Sequence, residues 1–133
     1  MKTITNLLAA GLLTCFGAFS FSGCAVLLIG AAVGTAVYLE GELESHLSTD
    51  IHGAIDATNV AAQQLGLRPV SRTGDASEAL MIATDSEERK IRIKLTPDEM
   101  NNRITKVKIR VGVGGDEDAS RRILAAIERN VGR

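Results

Sequence analysis

The sequence is poor in aromatic residues and close to neutral in charge. It has no tryptophan, one tyrosine and three phenylalanines among 133 residues. Its core must therefore be built from aliphatic side chains, and bases of a nucleic acid would find almost no aromatic surface on which to stack. The formal net charge of −1 gives no bulk attraction to nucleic acid or to anionic lipid. Recognition of a charged partner must come from local patterning instead.

Residue patterns typical of catalysis or metal binding are also absent from the sequence. His46 and His52 are its only histidines, and although His52 and Asp56 lie four residues apart, two ligands do not make a metal site. The serines stand in no nucleophile motif. The glycines of residues 112–115 precede three acidic residues that would repel a phosphate, so we expect them to cap a helix. The sequence predicts no enzymatic activity, no cofactor and no metal.

The N-terminal segment has the organisation of a secretory signal. Lys2 supplies a positive charge, residues 7–19 are apolar, and the two small residues Ser22 and Gly23 precede Cys24. This arrangement resembles the lipobox of bacterial lipoproteins, although Phe21 stands where leucine is commoner. The resemblance implies cleavage between Gly23 and Cys24 and lipidation of Cys24.

Cysteine usage is consistent with that processing. The only other cysteine, Cys15, lies inside the predicted signal, so cleavage would leave Cys24 alone and exclude an intramolecular disulfide. Ala25 follows it, where an aspartate favours inner-membrane retention. The resemblance therefore implies the inner leaflet of the outer membrane, facing the periplasm.

The extent of the apolar run leaves alternatives open. It continues to Leu39, so residues 7–28 are long enough to cross a bilayer as an uncleaved helix. Residues 25–39 are either a Gly/Ala-rich tether or a helix whose Gly30 and Gly34 allow close self-association. We assign residues 1–23 to the signal peptide, 24–35 to a lipidated tether and 36–133 to a single small domain.

The remaining chain shows strand and helix patterns in turn. Residues 36–44 alternate, with Val37, Leu39 and Leu43 on one side and glutamates on the other, which predicts one strand with a buried face. Apolar spacing and capping residues predict a helix over 50–65, ended by Gly66, and a second helix beginning at Asp116. Further strands are predicted over 67–73, where Pro69 suggests a sheet edge, and over 79–84, 89–95 and 103–111.

The order β-α-β-β-β-β-α predicts an α+β fold, with one antiparallel sheet of about four to five strands and two helices on one face. Two of the strands carry cations on their polar side, which are Lys90, Arg92, Lys94, Lys106, Lys108 and Arg110. If the two strands form a hairpin, these six cations share one sheet face. We expect the first strand to lie beside one of them, with Glu40, Glu42 and Glu44 offsetting the positive charge. The cations form either a binding face for an anionic partner, such as lipid head groups or an acidic polymer, or a solvated face that limits edge pairing.

Several blocks together resemble a family of short bacterial lipoproteins known only as a domain of unknown function. These blocks are the lipobox, residues 38–43, residues 65–67, and the C-terminal residues 111–116 and 120–124. The resemblance implies a small α+β domain with a membrane anchor, and it implies no activity. We expect a non-enzymatic structural or interaction module of the bacterial envelope. Its partners would be the membrane, through the lipid, and an envelope protein, but no nucleic acid.

Overall fold

The structure, a computed structural model, describes residues 36–132. The predicted signal peptide, the tether and Cys24 lie outside the described residues. Within them the chain forms β1 (Val37–Leu39), β2 (Glu42–Leu47), α1 (Ile51–Gln64), β3 (Arg68–Gly74), β4 (Ala79–Thr84), β5 (Lys90–Pro97), β6 (Thr105–Val111) and α2 (Glu117–Asn130). Neither of these two helices is both long and apolar enough to cross a bilayer.

The strands form one sheet in the order β1-β2-β6-β5-β4-β3, and every neighbouring pair is antiparallel. The predicted α+β fold with a single antiparallel sheet and two helices is confirmed. The predicted number of strands is wrong, because the described sheet has six strands rather than four to five. The additional strand arises where the sequence predicted one continuous strand over residues 36–44.

That segment is a tight hairpin. Glu40 and Gly41 form its two-residue turn with φ angles of +52° and +84°, the left-handed conformation that matches the twist of paired strands. The turn reverses the expected sides of β1, because Tyr38 pairs with the buried Leu43 while Val37 and Leu39 lie on the opposite face. The prediction that Val37 and Leu39 are buried with Leu43 is therefore wrong.

The core lies between the helices and one face of the sheet, and it is aliphatic as the composition predicts. The inward side chains of the central strands include Leu43, Ile93, Ile109 and Val107, each no more than 1% exposed. Helix α1 faces them mainly with alanines, and α2 does so with a larger apolar stripe that includes Ile127. Small side chains on α1 let this helix approach both the sheet and α2 closely.

Both helices begin as the sequence predicted. The Asp50 carboxylate accepts a hydrogen bond from the Gly53 N–H at 2.8 Å, and the Asp116 carboxylate accepts one from the Ala119 N–H at 2.9 Å. Each bond satisfies a backbone donor that the first helical turn leaves without a partner. Gly66 follows α1 with a positive φ, as expected of a residue that ends a helix.

The far edge of the sheet is β3, which confirms the edge position that Pro69 suggested. Every residue of β3 is exposed, and its pairing with β4 is interrupted by a bulge between Pro69 and Ser71. Proline and a bulge are common at edges because both weaken the pairing of a further strand.

Candidate functional site

The sheet face that points away from the helices, here called the outer face, carries all six predicted cations. Strands β5 and β6 pair as the expected hairpin, which places Lys94 opposite Lys108 and Arg92 opposite Arg110. The side chains between them along each strand point into the core. The outer face also holds every lysine of the described residues, namely Lys90, Lys94, Lys106 and Lys108.

Two carboxylates form ion pairs with three of these cations. Strand β2 lies beside β6 as predicted. Glu44 forms ion pairs with two lysines of β6, with Lys108 Nζ 3.1 Å from Glu44 Oε2 and Lys106 Nζ 3.3 Å from Glu44 Oε1. The hydrogen bond from Lys108 is the main reason that the pKa of Glu44 lies below its ordinary value, and Glu44 in turn raises the pKa of Lys108. Lys94 Nζ pairs with Glu78 at 3.1 Å.

The predicted row of three glutamates is only partly right. Glu42 and Glu44 lie on the outer face, but Glu40 lies in the hairpin turn and is not part of this row. The period-two pattern continued through the turn in the sequence, so the pattern by itself did not show where the strand ended.

The other three cations have no carboxylate partner among residues 36–132, and these are Lys90, Arg92 and Arg110. Arg110 instead donates hydrogen bonds to the carbonyl oxygens of Val113 at 2.7 Å and Glu40 at 3.5 Å. Arg92 and Arg110 are directly opposite, an arrangement of like charges that destabilises a strand pair. The outer face is therefore positive, because the six cations and Arg68, which shares a row with Thr84 and Lys90, outnumber Glu40, Glu42, Glu44 and Glu78.

An apolar strip adjoins these charges, formed by Val37 and Leu39 at the β1 edge. Val37 is 46% exposed and Leu39 is 67% exposed. A depression of about 630 Å³ lies between this strip and the side chains of Lys108 and Arg110, and its wall includes Glu42 and Glu44, which pair directly with Leu39 and Val37. Sequence reasoning missed the strip because it assigned both residues to the core.

Two of the sequence blocks that carry the family resemblance, residues 38–43 and 111–116, are in contact in the structure. Gly41 in the β1–β2 turn packs against the backbone of Gly115, and a Cβ on Gly115 would lie 2.4 Å from the Gly41 Cα. The same Cβ would lie 2.5 Å from the hydroxyl oxygen of Tyr38. The expectation that the glycines of residues 112–115 cap α2 is wrong, because Asp116 is the N-cap, and Gly115 instead allows a close contact between backbones. We call this contact the glycine junction.

A second set of charges ties the β4–β5 turn to the start of α2. Arg89 Nη1 lies 2.7 Å from Asp116 Oδ2, and Arg89 Nε lies 2.8 Å from Asp85 Oδ2 and 3.0 Å from Glu87 Oε2. The backbone N–H of Ala119 and the Arg89 guanidinium together hold the pKa of Asp116 below its ordinary value. These groups satisfy one another, so the arrangement supports the fold rather than chemistry.

A smaller cavity of about 190 Å³ lies between α1 and the β3–β5 end of the sheet, with Met81 and Leu95 in its wall and Arg72 lining it. Thr58 and Asn59 also line it, and the Thr58 hydroxyl and the Asn59 side-chain carbonyl oxygen are buried without a hydrogen-bond partner in the described chain. Among residues 36–132 no group of three or more metal-ligating side chains comes together.

The chain is thus a small α+β protein whose sheet presents a cation-rich face away from its helices. A family model described as a protein of unknown function (DUF3568) matches residues 6–130, and the chain belongs to this family. No curated protein matches it. The expectation of a family known only as a domain of unknown function is confirmed, and the lipoprotein character expected of that family stays a prediction.

Proposed function

We propose that the protein is a membrane-anchored lipoprotein of the bacterial envelope that acts as a non-enzymatic structural or interaction module. The observation that carries the proposal is the sequence Ser22-Gly23-Cys24 at the end of an apolar segment. Lipidation of Cys24 would hold the domain at a membrane surface whatever its own affinity for lipid, because two or more acyl chains anchor a protein stably. We place it in the outer membrane, facing the periplasm.

Mass spectrometry of the protein purified from membranes tests this proposal. We expect a chain that begins at Cys24 and carries a lipid on its sulfur. Cys24→Ser should abolish both the cleavage and the lipid, whereas the matched control Cys15→Ser should change neither. An intact Met1 together with a free Cys24 thiol would contradict the proposal and favour an uncleaved membrane helix.

The interaction role is tested by crosslinking in living cells, followed by purification of the lipidated chain. A module that works through a partner should yield a specific crosslinked envelope protein. Crosslinks should require the membrane anchor and should be lost in Cys24→Ser, while Cys15→Ser serves as the matched control. Crosslinks only to abundant proteins, equal in both variants, would count against a specific partner.

A second candidate function is the binding of an anionic ligand or of lipid head groups through the outer face. It is favoured by the three cations that lack a carboxylate partner in the described residues, namely Lys90, Arg92 and Arg110. Charge-driven binding weakens as salt is added, since mobile ions screen the attraction. Binding of the full chain to a soluble polyanion and to vesicles, each at low and high salt, separates this function from a merely solvated face.

A further inference from the structure

We propose that the outer face lies flat against the bilayer that anchors the chain. Val37 and Leu39 then sit at the membrane interface while the cations contact the phosphates of anionic phospholipids. The inference rests on the proposed function in one respect, namely that the chain is held at a membrane. It adds an orientation of the domain and a partner for the apolar strip.

The position of the apolar strip is the first argument. Val37 and Leu39 expose 46% and 67% of their surfaces on the same side of the sheet as the cations. Moving an aliphatic side chain out of water is favourable in proportion to the area covered. Strand β1 is also the first described element after the apolar N-terminal segment, so it is the nearest in sequence to the anchor.

Chain length requires the domain to stay close to the bilayer. If Cys24 carries the lipid, residues 25–35 separate it from the domain, and eleven residues span at most about 40 Å even when fully extended. The domain therefore remains within roughly its own diameter of the lipid surface. Weak contacts between the domain and lipid then form repeatedly, because the tether gives the domain a high effective concentration at the surface.

The distribution of charge is the second argument. The chain has a net charge of −1, yet its outer face carries more cations than carboxylates, so the remaining surface is more negative than the average. The exposed side of α2 has no comparable excess of positive charge, because Arg121, Arg122 and Arg129 are balanced there by Glu117, Asp118 and Glu128. Such an asymmetry orients a protein, because an anionic surface attracts the outer face more strongly than it attracts the helical side.

The dimensions of the sheet allow both parts of the face to touch one surface. Strands β1 and β5 are separated by three strand spacings, or about 14 Å. Salt limits the attraction of each cation to about 8 Å at physiological ionic strength. Arg92 can therefore act on lipid phosphates at the same time as Leu39 enters the interface only if the face lies nearly parallel to the bilayer.

The lysines provide the measurement, because all four lysines of the described residues lie on the outer face. Arg129→Lys adds a reference lysine on the exposed side of α2. The full chain carrying this change is placed in lipid nanodiscs of phosphatidylcholine alone or with phosphatidylglycerol. A water-soluble amine acylating reagent is then applied, and the modification rate of each lysine is measured by mass spectrometry.

In anionic discs we expect the outer-face lysines to react about five-fold more slowly, relative to residue 129, than they do in neutral discs. A factor of this size corresponds to about 1 kcal/mol, the attraction of one cation to such a surface. High salt should remove the difference. Leu39→Thr should restore part of the reactivity. The matched control Val70→Thr should not, because Val70 is equally exposed at 67% but lies on β3, the opposite edge.

Two results would overturn the inference. One is equal lysine reactivity in the two kinds of disc, and the other is an equal effect of Leu39→Thr and Val70→Thr. Failure of the proposed function has a different signature, because the same mass spectra would show an intact Met1 and an unmodified Cys24 whatever the lysine reactivities are. Arg92→Gln gives a further check that does not disturb the fold, since Arg92 makes no ion pair in the described range. It should weaken the protection in anionic discs only.

Discussion

Replacing Gly115 with alanine tests whether the glycine junction holds the β1–β2 hairpin against the rest of the molecule. Gly115 has a φ of +81°, and a Cβ there would lie 2.4 Å from both the Cα and the carbonyl oxygen of Gly41. Neither atom belongs to a flexible side chain. The two backbone segments must therefore separate before alanine can be accommodated.

Gly112 provides the matched comparison. Its φ of +73° is also left-handed, but a Cβ there would meet nothing within 4 Å. Gly112→Ala should therefore cost only the strain of the left-handed conformation, about 1–2 kcal/mol. Gly115→Ala carries that strain together with an overpacking cost of about 1–3 kcal/mol. We expect a total loss of about 3 kcal/mol in the free energy of unfolding.

Urea unfolding of the full chain in mild detergent, followed by circular dichroism, measures both variants. Tyr38 is the only tyrosine and there is no tryptophan, so its fluorescence reports on the junction directly. Gly115→Ala should alter that fluorescence in the folded state, and Gly112→Ala should leave it unchanged. Equal losses of stability in the two variants would refute the close contact on which the reasoning depends.

Three further predictions concern the turn and the ion pairs. Glu40→Asn should raise the free energy of unfolding by about 0.5–1 kcal/mol, because asparagine tolerates the φ of +52° better than glutamate; a lower urea midpoint would contradict the turn geometry. Glu44→Gln should cost below about 1 kcal/mol, since the ion pair with Lys108 is partly exposed to solvent, and lysine titration by NMR should show the Lys108 pKa falling toward its ordinary value. Asp116 has a folded-state pKa below its ordinary value, so its stabilisation is present above the unfolded-state pKa and is lost as the pH falls through the folded-state pKa. Arg89→Gln should therefore make the melting temperature less sensitive to acid in that range, and an unchanged pH profile would show that Arg89 does not stabilise the charged form.

Much of the fold was predictable because the signals were local. The alternation in residues 90–95 and 105–111 placed the cations on one face and the aliphatic residues on the other, and Asp50 and Asp116 marked the helix starts. Pro69 marked an edge strand for the same reason, since it lacks the N–H that an interior strand requires.

The hairpin at Glu40–Gly41 could not be placed in the same way. Alternation with a period of two continues unchanged across a two-residue turn, and glutamate is an unusual residue for a left-handed position. Missing this turn also affected the candidate site, because it assigned Val37 and Leu39 to the buried face of the sheet instead of the outer face. The apolar strip became visible only when the pairing of Tyr38 with Leu43 was known.

The sequence by itself determined the aliphatic core, the α+β class, the six cations and the motif at Cys24, because each depends on residue type and spacing along the chain. Tertiary structure alone decided which cations are neutralised. Glu44 meets Lys106 and Lys108 through the pairing of β2 with β6, which are far apart in sequence. It also decided that Gly41 and Gly115 touch. Both contacts depend on strand order and register, and the packing of the whole sheet against two helices sets these.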